Sequence, residues 1–271
     1  MKVLIYIALH KRQEIAQVYY SSLVKFIIAG REAGVECEPL FIWSNDNDRA
    51  TAEKYFPKAA YVYSENFPLG RKLNAGLPLV MSKDWTYFMG FGADDIILPE
   101  YWDKVIPHMN ERKMCIGMQR LLCYDLSTGR VKLVGPTPMV YGAGRLLLRK
   151  YVEAGAYRYT VKCKHTNTAG DRRGKIKTIP QWQYKDVSYE MIDTTIELWP
   201  PEKNNAMDAA SFMRIMKGYG PSMTWVQTAI DKDDLFCLDI KTEDNINKFD
   251  KLPGVILDGQ AADEVIQKFG L

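Results

Sequence analysis

The stretch Trp85–Pro99, WTYFMGFGADDIILP, decides the fold. Its first part, Trp85–Phe91, is an apolar run with the length of a buried strand, and Asp94 and Asp95 follow it directly. Pro99 then marks the start of a helix. Ligands of open α/β sheets bind at the carboxyl ends of the strands. The adjacent carboxylates therefore indicate a site for a hard divalent cation or, alternatively, simple caps of the following turn.

Strands and helices alternate on both sides of this stretch. The short loops between them predict a doubly wound, mostly parallel α/β sheet. The predicted strands are Val3–Leu9, Glu36–Trp43, Ala60–Tyr63 and Met114–Leu122, and the predicted helices are Glu14–Ala33, Arg49–Phe56, Gly70–Met81 and 99–110.

The second half of the chain is less regular. No linker or internal repeat interrupts it, so we expect one domain over residues 1–271 with a decorated C-terminal half. The predicted elements are a hairpin with its turn at Asp125–Gly129, helices at Arg145–Ala154, Ala206–Lys217 and Ala261–Phe269, a strand at Leu235–Ile240, and a strand or helix at Ser188–Leu198.

The composition excludes several classes of protein. The chain has 271 residues, 47% of them hydrophobic, with 36 Lys and Arg against 33 Asp and Glu, so disordered, collagen-like and disulfide-scaffold proteins are ruled out. Five cysteines without a CxxC pair favour free thiols in a reducing cytoplasm. The apolar run Val3–Leu9 is short and is expected to be a strand rather than a signal peptide, and no run is long enough to span a membrane.

A second polar element lies upstream of the acidic pair. Gly70, Arg71 and Lys72 stand at the predicted start of a helix, where backbone N–H groups and cations favour phosphates. The alternative is a solvated basic turn without a ligand.

The order of these motifs resembles that of the GT-A glycosyltransferases, particularly the family 2-like enzymes and small soluble members seen in phages. Ala93-Asp94-Asp95 departs from the strict DxD form of the family's acidic motif. The segments that carry the resemblance are Ser44–Asp46, Gly70–Asn74, Ala93–Asp95, Tyr141–Arg149, Leu198–Asp208 and Leu238–Lys241.

The resemblance implies a donor-binding half over residues 1–125 and an acceptor-side half over 126–271. It implies a nucleoside-diphosphate sugar, first of all a UDP-sugar, together with Mn²⁺ or Mg²⁺. The implied assignments are His10 and Arg12 beside the nucleotide, Asn45 and Asp46 on the base, Arg71 and Lys72 on the diphosphate, Asn74 on nearby polar groups, Asp95 on the metal, Asp94 on the metal or ribose, and Asp239 as a third metal ligand or a structural carboxylate.

Transfer to an acceptor also needs a general base. Asp208 is the first candidate and Asp193 the second, although either could be a surface carboxylate and Asp208 could cap a helix. On the acceptor side, the resemblance points to Tyr141 and Gly142.

Residues 161–185 form a basic segment with seven Lys or Arg and one acid, a net charge of +6 that leaves −3 for the rest of the chain. Basic residues with nearby aromatics suit phosphates and stacked bases, which makes a modified base in DNA a candidate acceptor. A plain loop, a lid over the sugar nucleotide and an anionic membrane surface are the alternatives. The residues that would bind DNA are Arg172, Arg173, Lys175, Lys177 and Trp182.

Two other classes of function stay open. A nucleotidyltransferase has a similar sheet, but a Gly-rich loop normally follows its first strand, and residues 8–12 read ALHKR. A non-catalytic nucleic-acid-binding protein would account for the basic segment and leave Asp94 and Asp95 unexplained.

Overall fold

The computed structural model of the protein describes residues 1–166, 170, 172–203, 227–230, 234–242 and 248–271. These residues belong to two compact units. Unit 1 contains Met1–Asn66, Trp85–Leu148 and the described residues from 227 onward. Unit 2 contains Phe67–Asp84 and the described residues from 149 to 203.

Unit 1 is built on a sheet of seven described strands. The strands are β1 Lys2–Ala8, β2 Glu36–Trp43, β3 Ala60–Tyr63, β4 Tyr87–Gly92, β6 Cys115–Gly117, β9 Leu146–Leu148 and β13 Gln227–Ala229. Their order is β13-β6-β9-β4-β1-β2-β3, and all neighbours are parallel except the pairs that β9 makes with β4 and β6.

Apolar helix faces cover this sheet. Val3–Ile7 of β1 are almost completely buried, as expected for a central parallel strand. In the first helix, Tyr19, Leu23 and Phe26 are buried at intervals of three and four residues. The helices of unit 1 are α1 Ala16–Glu32, α2 Asp46–Tyr55, α5 Tyr101–Asn110 and α7 Gly259–Phe269.

Unit 1 also contains a second sheet. Its strands are β5 Asp95–Ile97, β7 Leu121–Asp125, β8 Val131–Val134, β14 Cys237–Lys241 and β15 Val255–Leu257. Their order is β15-β8-β7-β14-β5, and only the pair β7–β14 is parallel. A separate apolar cluster that includes Ile96, Leu238 and Phe269 packs on this sheet.

Unit 2 contains a three-stranded antiparallel sheet with Val161, Cys163, Ile179 and Tyr189 as its core. The elements of the unit are α3 Leu69–Ala75, α4 Leu77–Ser82, α6 Arg149–Ala156, β10 Tyr157–Cys163, β11 Ile176–Pro180 and β12 Tyr189–Ile196. The strand order is β11-β10-β12.

The predicted fold class is confirmed: the chain is a mixed α/β protein with a large, mostly parallel sheet. Several element predictions were wrong. The helix predicted at Arg145–Ala154 begins only at Arg149, because Leu146–Leu148 form a buried strand. The helix predicted at Gly70–Met81 is two helices that meet at Gly76, and the strand predicted at Met114–Leu122 is divided into β6 and β7. The helix predicted at Ala206–Lys217 lies outside the described residues.

No helix in the described part of the chain is long and apolar enough to cross a lipid bilayer.

Candidate functional site

The candidate site lies at one edge of the large sheet in unit 1. Strands β4, β1 and β2 are adjacent and parallel, so their carboxyl ends reach the same edge. The loop after β1 carries His10 and Arg12, the loop after β2 carries Asn45, and β4 leads into Asp94. Sheet topology therefore brings together side chains from three separate parts of the sequence.

Three carboxylates converge at this edge. Asp94 and Asp95 follow β4, and Asp239 comes from β14, where it is the register partner of Asp95 in the antiparallel pair with β5. One carboxylate oxygen from each residue lies within 4.8 Å of the other two. The structure thus places Asp239 beside the acidic pair.

Gly92 allows the two adjacent carboxylates to fold back onto the strand end. Its N–H donates to Asp95 Oδ2 at 2.7 Å. A Cβ at this position would lie 2.5 Å from Asp95 Oδ2 and 2.8 Å from Asp94 Oδ1, so any larger residue would displace both side chains. The glycine is therefore part of the carboxylate site.

Two cationic side chains contact the triad. Arg12 Nη2 donates to Asp94 Oδ2 at 3.3 Å, and Arg12 Nη1 lies 3.5 Å from Thr242 Oγ1. Lys241, two residues beyond Asp239 on the same strand, donates from its ammonium group to Asp239 Oδ2. Lys241 was not among the predicted site residues, although the i, i+2 spacing on a strand places it on the face of Asp239.

Burial and mutual repulsion shift the acid strengths of the triad. The pKa of Asp95 is raised well above its usual value by burial and by the charges of Asp239 and Asp94, against the hydrogen bond from Gly92. Burial and the Asp94 charge raise the pKa of Asp239 to about 6, while Lys241 acts in the opposite direction. Burial lowers the pKa of Lys241, but Asp239 and Asp94 outweigh it, so the net pKa is raised.

The residues present fit a divalent cation. Carboxylate oxygens are the ligands that Mg²⁺ and Mn²⁺ prefer, and oxygens on one such ion lie at most roughly 4–5 Å apart. Asp239 Oδ1 is buried, and no donor among the described residues hydrogen-bonds to it. A buried acceptor of this kind normally has a partner, and a cation held between the three carboxylates would supply one.

The raised pKa values predict that the cation-free fold loses stability as the pH rises. A carboxyl group whose pKa is higher in the folded state than in the unfolded chain stabilises the fold while it is protonated, and that contribution is lost as it ionises. For Asp239 the loss falls between pH 4 and about 6. We therefore compare melting temperatures in EDTA. The difference between the wild type and Asp239→Asn, taken as wild type minus variant, should fall as the pH rises across this range.

Saturating Mn²⁺ should reverse this trend, because the ligands must be ionised to bind the cation. A difference between wild type and Asp239→Asn that stays constant from pH 4 to 7 in EDTA would contradict the assigned environment of Asp239.

The loop after β2 forms a second polar element of unit 1. Asn45 caps α2, because its Oδ1 accepts from Asp48 N at 2.9 Å. Asn45 and Asp46 line an open depression of about 770 Å³ together with Lys11, Gln13 and other residues of the two loops. Both residues predicted to contact the base thus lie on a concave surface of suitable size.

Asp48 holds the two loops together and was missed by sequence reasoning. It is buried, and its carboxylate accepts from Lys11 N at 3.0 Å, from Gln13 Nε2 at 2.8 Å and from Asn45 Nδ2 at 2.5 Å. These bonds fix the loop that also carries Arg12. The sequence signal was the Asn45-x-x-Asp48 spacing at a helix start, which is typical of reciprocal capping.

The residues predicted to face the diphosphate lie in unit 2. Arg71 is exposed, whereas Lys72 is buried. Asn74 Oδ1 accepts from the N–H groups of Leu198 and Trp199, both at 3.0 Å, and its Nδ2 donates to Trp199 O at 2.7 Å. Asn74 therefore positions the backbone of this turn.

The described residues of the basic segment belong to unit 2 and include parts of the antiparallel strands β10 and β11. Arg172, Arg173 and Lys175 are exposed between β10 and β11, and Trp182 is 40% exposed. Lys177 instead lies on the packed face, with its Nζ 3.3 Å from Tyr189 Oη and 4.9 Å from the ring centroid. Strand β12 adds acidic residues to the sheet, with Glu190 opposite Lys162, so the surface is of mixed charge.

The remaining predicted residues are dispersed. Tyr141 and Gly142 belong to a loop of unit 1 that Met118 O anchors through Tyr141 N at 2.7 Å. Asp193 lies on β12 of unit 2, exposed, with its Oδ1 accepting from Thr194 N at 2.7 Å. Asp208 lies outside the described residues.

The strand order and the carboxylate-bearing loop after β4 are those of a mixed α/β fold of the GT-A, Rossmann-like type. Two solved structures of S. aureus TarS share this fold. TarS 1-349 in complex with UDP-GlcNAc has a TM-score of 0.53 and 12% identity, covering 90% of this chain and 60% of that one. Another TarS structure has a TM-score of 0.52 and 11% identity, covering 89% of this chain and 37% of that one.

The chain spans less than two thirds of the TarS structures that it matches. At these identities the likeness establishes the fold alone. No family model matches the sequence, and no curated protein matches it.

Proposed function

We propose that the protein is a glycosyltransferase that moves a sugar from a nucleoside-diphosphate sugar to an acceptor with the help of Mn²⁺ or Mg²⁺. The observation that carries this proposal is the convergence of Asp94, Asp95 and Asp239 within 4.8 Å at the carboxyl edge of the sheet. Three buried or half-buried carboxylates repel one another, so a cationic ligand best explains their convergence in one place.

Asp94, Asp95 and Asp239 would hold the cation. When bound, the cation supplies positive charge to stabilise the departing nucleoside diphosphate. Asp94 could contact the ribose instead of the metal. Arg12, which already pairs with Asp94 at 3.3 Å, would orient that carboxylate and add a second positive charge at the site.

The depression beside Asn45 and Asp46 is the proposed place of the base, with His10 at its border. A UDP-sugar is the first candidate donor, and the TarS complex with UDP-GlcNAc supports this choice. Arg71, which is exposed, is the stronger of the two proposed diphosphate ligands, and buried Lys72 is the weaker. Asn74 keeps a positioning role.

The acceptor side stays a set of predictions. The division into a donor half, 1–125, and an acceptor half, 126–271, within one catalytic domain belongs to this proposal, as do Tyr141 and Gly142 as acceptor contacts. Asp208 and Asp193 are the proposed general bases. A modified base in DNA is the proposed acceptor on the strength of the exposed charges of Arg172, Arg173 and Lys175, with Trp182 beside them and Lys177 already engaged by Tyr189.

The donor assignment predicts a thermal shift. Relative to saturating Mn²⁺ alone, UDP should stabilise the fold by about 2.7 kcal/mol when its concentration is near 100 times its dissociation constant. For a chain of this length, that corresponds to a rise in melting temperature of roughly 5–10 °C. Differential scanning fluorimetry with UDP and Mn²⁺, separately and combined, measures it.

Repeating the assay with CDP, GDP, ADP and TDP identifies the base, and EDTA controls for the metal. The proposal is wrong if no nucleoside diphosphate shifts the melting temperature in the presence of Mn²⁺ or Mg²⁺ and no common sugar nucleotide is hydrolysed.

A further inference from the structure

Lys241 is an unusual residue to find in a cation site. Its side chain is only 8% exposed, and its ammonium group donates to Asp239 Oδ2. A buried ammonium is costly unless it is paired, and here its partner is itself one of the three convergent carboxylates. Lys241 therefore provides a hydrogen bond to one oxygen of the Asp239 carboxylate, and the other oxygen, Oδ1, can accept another partner.

The charges at the site do not balance when a divalent cation is added. The three carboxylates contribute −3, and the paired Arg12 and Lys241 contribute +2, so the group carries −1 in its ionised form. A divalent cation changes this to +1. The diphosphate of a sugar nucleotide carries two negative charges and would return the group to −1, its charge without ligands, whereas a cation alone leaves it at +1 in a largely buried place.

A bound cation would be repelled mainly by the ammonium group of Lys241. Lys241 binds one oxygen of the Asp239 carboxylate, and a cation held by the other oxygen, Oδ1, would face the same carboxylate group. Like charges placed in this way repel strongly where water is mostly excluded. Arg12 is bound to the outer carboxylate, Asp94, and its side chain is 17% exposed, so solvent screens its charge more than that of Lys241.

We infer that Lys241 makes tight binding of the divalent cation conditional on the nucleoside diphosphate. This inference rests on the proposed function. Lys241 keeps Asp239 oriented and opposes the cation when the cation arrives alone. The anionic diphosphate offsets that opposition, so cation and nucleotide bind cooperatively, and each strengthens the other by the same factor. Lys241 is thus a positioning residue that couples the two ligands.

The test measures the dissociation constant of Mn²⁺ by electron paramagnetic resonance, with and without saturating UDP. For the wild type, UDP should strengthen Mn²⁺ binding at least tenfold. Lys241→Met removes the charge and keeps most of the volume, so Mn²⁺ alone should bind at least tenfold more tightly than to the wild type. The gain from UDP should then shrink to less than threefold. Lys241→Arg keeps the charge and should keep the coupling.

The inference is overturned if Lys241→Met binds Mn²⁺ alone no more tightly than the wild type, or if UDP binds in the presence of Mn²⁺ and still changes the wild-type Mn²⁺ dissociation constant by less than threefold. Circular dichroism checks that each variant is folded, and Lys241→Gln, which keeps a hydrogen-bond donor, replaces Lys241→Met if that variant is not. Absence of UDP binding in the presence of Mn²⁺ would count against the proposed function instead. In that case, the titrations with Mn²⁺ alone still test whether Lys241 opposes the cation.

Discussion

Asp95→Asn should lower the rate of sugar-nucleotide turnover by about 10²–10³-fold and abolish the stabilisation by UDP with Mn²⁺, because it removes the most buried carboxylate of the triad. The same substitution should leave the ligand-free protein as stable as the wild type or more stable. Burial and two neighbouring carboxylates raise the pKa of Asp95, so its ionised form destabilises the ligand-free fold near neutral pH. The amide removes that charge and can still accept from Gly92 N.

The combination of lost turnover with an unchanged or raised melting temperature separates a ligand-binding role from a structural one. We expect the ligand-free variant at pH 7 to keep the wild-type free energy of unfolding or to exceed it, because the raised pKa of Asp95 shows that its ionised form is disfavoured in the fold. UDP release from UDP-GlcNAc and thermal melting in EDTA are the two measurements. Asp84→Asn, at a side chain that is 96% exposed, is the control and should change neither. A variant that loses stability in EDTA while keeping the response to UDP with Mn²⁺ would contradict the assignment.

Most of the parallel part of the fold followed from the sequence because its strands are rich in apolar residues and end at polar loops. Strands Glu36–Trp43 and Ala60–Tyr63 have the predicted bounds, and Asn45 caps the helix that was expected after the first of them. The prediction that Leu146–Leu148 belong to a helix was wrong for a physical reason. Three leucines suit a buried helix turn and a buried strand equally, and only the place between β4 and β6 decides between them.

Site residues could be predicted from the sequence where carboxylates follow the end of a strand. Residues whose role depends on a contact between distant parts of the chain were missed. Asp94 and Asp95 stand out because a polar pair ends an apolar run. Asp48 looks like one more loop carboxylate until the fold brings the backbone of Lys11, 37 residues away, to its oxygen. The i, i+2 spacing places Lys241 beside Asp239, but only the pairing of β14 with β5 brings Asp239, and Lys241 with it, to the acidic pair.

Gly70 has a structural role that its sequence pattern does not indicate, and its replacement by alanine should lower the stability of the protein. The sequence places this glycine at a helix start that suits phosphates. In unit 2 it instead allows a close approach of two backbone segments: its N–H donates to Lys203 O at 2.9 Å, and a Cβ would lie 1.8 Å from Pro200 O. Neither backbone atom can move aside as a flexible side chain could, so the position does not accept alanine without displacing the turn at 200–203.

Two effects of opposite sign compete in Gly70→Ala, and their sizes decide the outcome. Helix propensity favours alanine by about 1 kcal/mol. The clash costs about 3 kcal/mol or more, because the turn must move and the bond from Gly70 N to Lys203 O is lost with it. We therefore expect a net loss near 2 kcal/mol and a fall in melting temperature of roughly 4–8 °C. Gly90→Ala is the control, since its Cβ would meet only Gly142 O at an ordinary 3.6 Å and should shift the melting temperature little. A Gly70→Ala protein that melts at or above the wild-type temperature would mean that propensity outweighs the clash and that residues 200–203 do not lie against this helix as described.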